Sequence, residues 1–315
     1  MTERGQVSIV MPSYNRANIL RRTLPTYLQE EVGEVIVVDD ASTDNTAEVM
    51  RELMKQYPRI RYLRNDVNSK QGFTKNRGIE VARYEYIYFG DDDSIILPGT
   101  IKRLLDTMRI CKADLVGAKA LYAHNERQIS HLEDFLATND RLVDDPKQII
   151  DLSTMRVDFS LSYKEPLEVP LVHACFLIST QLARELLFDI NYQGNAYREE
   201  TDFLIRAALA DKKIIYDSAA VQINLPRAVS GGGAHAGTSD EWYRSAIENN
   251  DYFLRKNYAA MQAKWNLPHS IEQMRMFFAA EMKARYEAEH RYDWLKKVGL
   301  YKLLKTIKHW IEKEN

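Results

Sequence analysis

The sequence has few cysteines and little net charge, and each shortage excludes a class of protein. Its 315 residues include only two cysteines, Cys111 and Cys175, which form no CxxC pair. Zinc ribbons and disulfide-stapled secreted scaffolds are therefore excluded. The 43 basic and 45 acidic residues leave a formal net charge of −2. This balance gives no reason to expect a nucleic acid as a partner.

Long apolar segments are also missing. No apolar run approaches the ~20 residues that would span a bilayer. The polar stretch Met1–Gln6 does not have the pattern of a signal peptide. We therefore expect a cytoplasmic protein. With 45% hydrophobic and 28% charged residues, the composition excludes intrinsic disorder. The length allows one large α/β domain with an extension, or two modest domains.

The first hundred residues alternate between short apolar runs and amphipathic segments. Strand-like runs occupy 7–11, 35–38, 60–63 and 86–89, and helical periodicity covers 18–29, 44–57 and 75–83. Strands that alternate with helices of about a dozen residues predict a parallel-type sheet that is covered on both faces. Pro98 is expected to start a further helix that continues to Cys111.

The rest of the chain is less regular. It predicts strands at 115–122, 171–179, 214–216 and 220–223 and a helix at 201–210, whereas 130–162 is ambiguous. Four glycines within 230–237 predict a mobile loop, and the pattern from Asp240 onward is almost wholly helical. Trp242, Tyr243, Tyr252 and Phe253 recur at helical spacing, which favours a core role over a platform for an acceptor.

Acidic side chains follow two of the predicted strands. Asp39 and Asp40 come after the second strand, and Asp91, Asp92 and Asp93 come after the fourth. In open α/β sheets, ligands bind beyond the carboxyl ends of the strands. Three adjacent aspartates repel one another unless a cation lies among them, and oxygen ligands suit Mg²⁺ or Mn²⁺. We therefore expect a divalent metal ion at 91–93.

Each acidic cluster also has a purely structural interpretation. Residues 91–93 could form a turn that caps the following helix, although capping needs one carboxylate rather than three. Asp39 or Asp40 could cap the helix near Asp44, but Ser42 or Asp44 would serve, which leaves the pair without an evident structural role. The loop after the first strand contains no glycine. The dinucleotide fingerprint and the P-loop are therefore absent.

Five segments together resemble the family 2 glycosyltransferases of the GT-A fold. They are VSIVMPSYNR (7–16), VIVVDDASTD (35–44), NSKQGFTKNRG (68–78), YIYFGDDD (86–93) and YREETDFLIR (197–206). Their order and spacing make the resemblance specific over about the first 235 residues. It implies an α/β fold with a Rossmann-like mixed sheet flanked by helices. Residues 1–235 would form the GT-A domain, with a nucleotide-binding half (1–95) and an acceptor half (96–235). Residues 236–315 would form a helical C-terminal extension.

The resemblance also implies an activity. The expected enzyme is a metal-dependent inverting glycosyltransferase, which moves a sugar from a nucleotide-diphosphate-sugar, with a UDP-sugar as the expected donor, to an acceptor hydroxyl. Mn²⁺ or Mg²⁺ would be the cofactor. The acceptor would be a glycan or a lipid-linked glycan in surface polysaccharide or glycoconjugate synthesis. Two alternatives remain open. A nucleotidyltransferase would need a glycine-rich basic loop after the first strand, and a catalytically silent nucleotide-sugar or carbohydrate-binding module would not need both acidic clusters.

Residue roles follow from the resemblance. Pro12, Tyr14 and Arg16 correspond to the wall of the nucleotide pocket. Asp40, with Asp39 beside it, corresponds to the carboxylate that binds the nucleobase. Lys75 stands where the family often has an arginine near the diphosphate.

The metal and base residues are carried over in the same way. Asp91 and Asp93 correspond to the DxD pair, with Asp93 as the direct metal ligand and Asp91 reaching the donor ribose or a metal-bound water. Asp92 lies between them and is counted with the donor-binding residues. Glu200 stands where the family has its catalytic Asp, and the adjacent Glu199 is its rival. Asp202 has a sufficient role as an i, i+4 partner of Arg206.

The chain departs from the family pattern at three positions. Asn224 stands where relatives commonly have a histidine, so His235 in the glycine-rich loop is a candidate metal ligand. Gly90 replaces a larger residue before the aspartates, which would ease a close approach of the backbone. Glu200 replaces Asp and is one methylene longer. Glu200 has no evident local partner, and the N-terminal helix dipole should help to keep it ionised.

The C-terminal tail has the composition of an interfacial membrane helix. Apolar residues recur at helical spacing between Leu300 and Ile311, lysines flank them, and Trp294 and Trp310 lie near the ends. The alternative is a helix that packs on the catalytic domain or on a second subunit. A peripheral membrane contact and a homo-oligomer are thus both open.

Overall fold

The computed structural model describes residues 5–230 and 238–290, and a mixed β-sheet lies at its centre. The strands are β1 (Val7–Ser13), β2 (Val32–Asp39), β3 (Ile60–Arg64), β4 (Tyr86–Phe89), β5 (Ser94–Ile96), β6 (Leu115–Tyr122), β7 (Ile150–Asp151), β8 (Arg156–Val157), β9 (Leu167–Glu168), β10 (Phe176–Ser179) and β11 (Ile214–Asn224).

Helices connect the strands and follow the sheet. They are α1 (Ala17–Thr23), α2 (Thr46–Gln56), α3 (Lys70–Val81), α4 (Thr100–Cys111), α5 (Glu126–Ser130), α6 (Leu132–Thr138), α7 (Thr180–Leu186), α8 (Glu199–Leu209), α9 (Arg227–Ser230), α10 (Ser239–Trp265) and α11 (Ile271–His290). Two short 3₁₀ helices occupy Leu24–Tyr27 and Pro146–Gln148.

The sheet confirms the predicted α/β class and is mixed rather than wholly parallel. In the described ranges its order is β3-β2-β1-β4-β10-β6-β11-β5, with β9 beside β11. β1, β2, β3 and β4 pair in parallel, whereas β10 is antiparallel to both of its neighbours. The parallel half places the carboxyl ends of β1, β2 and β4 at one edge, where the acidic residues follow.

Both faces of the sheet are buried, as continuous apolar strands require. In β1, Val10 belongs to the core under α3, whereas Ile9 and Met11 belong to the core on the opposite face. Gly78 in α3 lets the helix lie close to β1, because a Cβ there would come within 2.4 Å of Cγ1 of Val10. The absence of a side chain at Gly78 thus allows the short distance between α3 and β1.

Some element boundaries differ from the predictions. Gly99, with φ of +81°, precedes α4, so that helix begins at Thr100 rather than at Pro98. The apolar run 171–179 is a strand only from Phe176 onward. The two strands predicted at 214–216 and 220–223 are one strand, β11, whose register with β6 shifts between Asp217 and Val221. A β-bulge there keeps β11 paired with β6. The sequence pattern alone suggests that the strand is interrupted at these residues.

Two long helices follow the sheet domain. Thr238 and Glu241 form a capping box at the start of α10, and α10 packs against both α8 and α11. Within residues 5–230 and 238–290, no helix combines the length and the apolar character needed to cross a membrane. His235 and the apolar stripe from Leu300 lie outside the described residues.

Candidate active site

A cleft of about 1140 Å³ opens at the carboxyl ends of β1, β2 and β4. It brings together most of the residues that the sequence singled out. The cleft is lined by Pro12, Tyr14, Arg16, Asp40, Asp91, Asp92, Asp93, Glu200 and Asn224, and also by Tyr122, His124, His173, Asn195, Arg227, Trp242 and Ser245. Three predicted residues among those described, Asp39, Lys75 and Glu199, are not on its wall.

Arg16 joins the loop after β1 to the aspartate cluster. Its guanidinium lies 3.0 Å (Nη2) from Oδ2 of Asp93 and 3.3 Å (Nε) from Oδ1 of Asp92. The Arg16 side chain is almost fully buried. Arg16 therefore contacts the aspartates directly, in addition to lining the part of the cleft predicted to hold the nucleotide.

The aspartate cluster holds more negative charge than its surroundings readily stabilise. Burial, opposed by Arg16, raises the pKa of Asp92 to about 7. Burial also raises the pKa of Asp91, against the opposing charge of Lys75. Asp93 is more exposed than Asp92, with 25% against 9% of the side chain accessible. Carboxylates crowded in this way and open to a cleft fit a divalent cation, since such an ion would supply the missing positive charge.

Gly90 makes room for a buried support beneath the aspartates. A Cβ on Gly90 would come within 2.8 Å of the Tyr27 ring. The Tyr27 hydroxyl donates to the backbone carbonyl of Asp91 at 3.0 Å and lies 2.7 Å from Oγ of Ser94. Gly90 thus leaves room for the Tyr27 ring, whose hydroxyl binds the turn that contains Asp91.

Asp39 has a structural role that the sequence did not reveal. It is fully buried and accepts hydrogen bonds from the Ser42 backbone N–H, from the Tyr62 hydroxyl and from Nη1 of Arg64, at 2.8, 2.5 and 2.9 Å. These contacts join the end of β2 to β3. Burial, with the hydrogen bond to Asp39, raises the pKa of Tyr62 to about 12.

Asp40 lines the cleft and at the same time holds the start of α3. One carboxylate oxygen accepts from the Ser69 backbone N–H and from Nδ2 of Asn65, and the other accepts from the Lys70 backbone N–H, each at 2.8 Å. The expectation that the acidic pair has no structural role is therefore wrong. Apart from Ser42, the residues that bind Asp39 and Asp40 lie in β3, directly after it or at the start of α3, too far along the chain for a local capping argument.

Lys75 bridges the two candidate bases behind the cleft. Its ammonium nitrogen lies 2.8 Å from Oε1 of Glu199 and 2.6 Å from Oε1 of Glu200, and it is 4.9 Å from the centre of the Phe188 ring. Lys75 is 1% exposed and Glu199 is 0% exposed. Glu200 has no local partner, as expected, but the fold supplies a distant one, Lys75 of α3.

The two glutamates differ in exposure and in acidity. Burial is the main reason that the pKa of Glu199 rises to about 8, and the neighbouring Glu200 charge adds to it. Burial acts in the same direction on Glu200, but Lys75 and several hydrogen bonds outweigh it and lower the pKa. Only Glu200 reaches the cleft. The opposite shifts favour the proton on Glu199 and the negative charge on Glu200, which faces the cleft.

Asp202 is occupied elsewhere, as the sequence predicted. It accepts from Nε of Arg206 at 2.8 Å, and Lys256 and Asn257 of α10 also donate to it.

Residues of α10 and α11 also contact Arg198, which precedes α8. Arg198, with φ of +76°, donates to Asn250 and lies over the rings of Tyr197, Phe253 and Phe278. The C-terminal helices therefore fix the backbone from which Glu200 projects.

Several residues of the cleft escaped the sequence reasoning. His173 lies in an apolar run that reads as a strand, and its ring contacts the Tyr122 hydroxyl (2.8 Å) and Nε2 of Gln222 (3.1 Å). Burial lowers the pKa of His173 to about 4. The sequence contained one sign of this role, because the polar His173 interrupts the apolar run 171–179. Asn224 donates through Nδ2 to the Leu121 carbonyl at 3.2 Å.

The helix α10 also contributes to the cleft. Trp242 and Ser245 line it, whereas Phe253 on the same helix is fully buried. The interpretation of the aromatic set as core is thus confirmed for Phe253 and is too simple for Trp242. A half-buried indole at the rim can both pack on Tyr197 and present a face to a ligand.

Known proteins are similar in sequence to part of this chain, including residues that line the cleft. The family model described as Glycosyl transferase family 2 matches residues 8–173. Glycosyltransferase GlyG of Streptococcus pneumoniae is 35% identical over 112 residues, which are 35% of this chain and 37% of the relative. GalNAc(5)-diNAcBac-PP-undecaprenol beta-1,3-glucosyltransferase of Campylobacter jejuni is 35% identical over 104 residues, which are 32% of this chain and 33% of the relative. The chain thus spans about a third of the length of these curated relatives.

Solved structures match a larger part of the chain. S. aureus TarS 1–349 in complex with UDP-GlcNAc aligns with a TM-score of 0.59 at 17% identity, over 90% of this chain and 73% of that one. The mannosyltransferase PcManGT from Pyrobaculum calidifontis, in complex with GDP-Man and Mn²⁺, aligns with a TM-score of 0.58 at 17% identity, over 97% and 83%. At this identity the likeness concerns the fold, and the fold is of the GT-A type.

Proposed function

The chain belongs to glycosyl transferase family 2, whose model matches residues 8–173 of its 315, and from this premise we propose that it is an inverting, metal-dependent glycosyltransferase. It would transfer a sugar from a nucleotide-diphosphate-sugar to an acceptor hydroxyl. One observation carries the proposal: the aspartate cluster 91–93 and the ionised Glu200 come from distant segments and line the same cleft. One cluster can hold a cation and the diphosphate, and the other carboxylate can accept a proton.

The nucleotide would lie over the ends of β1 and β2. Pro12, Tyr14, Arg16 and Asp40 line this part of the cleft. Asp40 accepts backbone hydrogen bonds through both oxygens, and a carboxylate has about four lone-pair sites, so it can accept a further bond from a base. Asp39 is enclosed by Ser42, Tyr62 and Arg64, and we propose that it positions Asp40 rather than contacting the nucleotide.

The residues at 91–93 fit Mn²⁺ or Mg²⁺. Asp93, with Asp91, would hold the ion, and Asn224 offers an amide oxygen on the same cleft because its nitrogen donates to Leu121. All of these are hard oxygen donors. When bound, the cation would stabilise the negative charge that develops on the leaving diphosphate. The PcManGT structure, which contains GDP-Man and Mn²⁺ on a similar fold, supports this assignment. His235, the other candidate ligand, stays a prediction outside the described residues.

Glu200 is proposed as the general base. A base must be ionised before it accepts the proton of the attacking hydroxyl, and the Lys75 ammonium 2.6 Å away favours the ionised form. Glu199 is enclosed, and burial raises its pKa, so we propose that it supports Lys75. Lys75 itself lies behind both glutamates, and we propose that it acts on the base rather than on the diphosphate.

The acceptor is proposed from the relatives. The C. jejuni relative is named for an undecaprenol-linked acceptor, which supports a glycan or lipid-linked acceptor in surface polysaccharide or glycoconjugate synthesis. Such an acceptor would bring the enzyme to the inner face of a membrane, and the lysine-flanked tail from Trp294 would be the contact. A UDP-sugar is the proposed donor, since the TarS structure contains UDP-GlcNAc.

A donor screen tests the proposal. UDP-, GDP- and dTDP-sugars are added with Mn²⁺, and the midpoint of thermal unfolding is recorded, because a ligand specific for the native state stabilises it by mass action. We expect one nucleotide series to raise the midpoint, and the stabilising sugar to be hydrolysed or transferred slowly. Stabilisation without any turnover of the donor would favour the silent binding module. Release of pyrophosphate from a nucleotide triphosphate and a sugar phosphate would favour the nucleotidyltransferase.

A further inference from the structure

The Tyr122 hydroxyl lies at the end of β6, on the wall of the cleft. The structure gives it one partner among the described residues, Nε2 of His173 at 2.8 Å. Which of the two groups donates depends on the histidine tautomer. The tautomer therefore decides what Tyr122 offers to a ligand.

The backbone of the same segment determines the tautomer. The Cys175 N–H donates to Nδ1 of His173 at 3.4 Å. A backbone N–H can only donate, so Nδ1 carries no proton and the proton of the neutral ring is on Nε2. Nε2 of Gln222 lies 3.1 Å from the same Nδ1, and its amide oxygen accepts from the Tyr88 hydroxyl at 2.9 Å. This orientation of the amide makes Gln222 a second donor to Nδ1.

The direction of the hydrogen bond to Tyr122 follows. The protonated Nε2 of His173 donates to the Tyr122 oxygen, and the phenol proton of Tyr122 is then free to point away from the ring. On the other side of that oxygen is the cleft. A chain of hydrogen bonds from the buried Tyr88 and Gln222 through His173 thus orients Tyr122 as a hydrogen-bond donor to a ligand in the cleft.

The same contacts argue against a metal ion at this point. Asp91, His173 and Cys175 place ligand atoms within 4.8 Å of one another. However, both ring nitrogens of His173 already have partners, and a metal ion would have to displace Tyr122 or the pair of donors to Nδ1. The polar chain is complete without a cation.

We propose that Tyr122 is a specificity-determining residue that donates a hydrogen bond to an oxygen of the transferred sugar. The inference rests on the proposed function. Tyr122 and His173 lie on the cleft wall with the aspartate cluster and Glu200, between which the reacting sugar must lie, whereas the nucleotide is assigned to the ends of β1 and β2. The partner is an acceptor oxygen, such as a sugar hydroxyl or an amide carbonyl.

The test compares a nucleotide-sugar with its nucleotide diphosphate. Calorimetric titrations with Mn²⁺ use UDP-GlcNAc and UDP, or GDP-mannose and GDP if the donor screen selects guanosine. We expect Tyr122→Phe to weaken binding of the nucleotide-sugar by ~3–10-fold, as for the loss of one neutral hydrogen bond, and to leave binding of the diphosphate within about twofold. Tyr163→Phe is the matched control, since its hydroxyl contacts only a loop carbonyl among the described partners, at 3.4 Å, and it should change neither.

Two variants of His173 test the orienting chain. His173→Leu removes the donor to Tyr122 and should weaken sugar-dependent binding in the same direction, whereas His173→Gln places an amide N–H near the position of Nε2 and should restore most of it. Equal losses for nucleotide-sugar and diphosphate, or no loss with Tyr122→Phe, would overturn the inference. Absence of binding by the wild-type protein to any nucleotide would instead mean that the proposed function itself has failed.

Discussion

The Lys75 ammonium lies 2.6 Å from Oε1 of Glu200, although 125 residues separate them in the chain. Lys75 lies in α3, which packs on the parallel strands β1 and β2, and Glu200 lies in the first turn of α8. A second carboxyl group, that of Glu199, binds the same nitrogen at 2.8 Å. One buried cation thus contacts two carboxyl groups, and only that of Glu200 reaches the cleft.

The first prediction concerns the base. Glu200→Gln should lower turnover by ~10²–10⁴-fold, because an amide cannot accept the proton of the acceptor hydroxyl. Binding of the nucleotide diphosphate should stay nearly unchanged. Glu199→Gln is the matched control and should retain most activity, since an amide has nearly the shape of the protonated acid. Normal turnover of Glu200→Gln beside an inactive Glu199→Gln would show that the other carboxylate is the base.

The second prediction concerns Lys75. Lys75→Met leaves the buried Glu199–Glu200 pair without its cation and should lower the free energy of unfolding by about 3 kcal/mol. Adding Glu199→Gln should recover part of this loss, because only one titratable carboxyl group then remains at the buried site. Urea unfolding of the wild type, both single variants and the double variant measures the coupling. Strictly additive effects would mean that the pair does not interact.

The Lys75 variant also has an expected effect on the pH profile. Lys75 lowers the pKa of Glu200, so its removal should move the acid limb of turnover to higher pH. Lys75→Arg keeps the charge and should keep the acid limb close to that of the wild type. An unchanged limb in Lys75→Met would indicate that Glu200 does not depend on this ammonium.

The third prediction concerns stability against pH. The pKa of Glu199 is about 8 in the folded protein and ~4.3 for an unperturbed glutamate. Between these values the native state binds more protons than the unfolded state. The contribution of Glu199 to stability is therefore complete below the lower value and is lost as pH rises toward the upper one.

Urea unfolding at about pH 6 and about pH 8 measures this slope. The loss in the wild type should be at most about 1.4 kcal/mol per pH unit from this group, and Glu199→Gln should flatten it. Glu126→Gln, at an exposed site that pairs with Arg22, is the control and should keep the slope. If Glu199→Gln and the wild type decline in parallel, Glu199 does not hold the proton.

The fourth prediction concerns the metal ion. Chelation with EDTA should abolish the thermal stabilisation by the donor nucleotide, and Mn²⁺ or Mg²⁺ should restore it. Asp93→Asn should prevent this restoration, because it removes a charged oxygen ligand. Asp106→Asn, at an exposed helix position paired with Lys102, should respond as the wild type does. Donor stabilisation of Asp93→Asn that survives in EDTA would refute the metal site.

The fifth prediction concerns the tail from Trp294, and it depends on the sequence alone. The full chain should co-sediment with anionic vesicles, and a chain that ends before Asp293 should not. Each lysine near such a surface contributes on the order of 1 kcal/mol, which salt weakens. Binding should therefore fall at high ionic strength. Equal sedimentation of both chains would favour packing of the tail within the protein or on a second copy.

The sequence by itself determined many of the elements and the edge of the sheet at which the acidic residues meet. β4 and β6 have the predicted bounds, because apolar runs between polar turns mark buried strands. Asp40 and Asp91–Asp93 lie in the cleft because residues that follow parallel strands meet at one edge. The pairing of Asp202 with Arg206 was also predictable, since helical geometry places residues four apart beside each other.

Only the tertiary structure decided which charges meet. Lys75 pairs with Glu199 and Glu200, Asp39 with Tyr62 and Arg64, and Arg16 with Asp93. Each contact joins segments that the order of strands and the packing of helices bring together, and no local pattern encodes that order. Burial then shifts the pKa values, because a carboxylate in a crowded interior depends on its few neighbours rather than on water. The contacts that distinguish Glu200 from Glu199, and those of Asp39 and Lys75, therefore depend on packing and not on spacing along the chain.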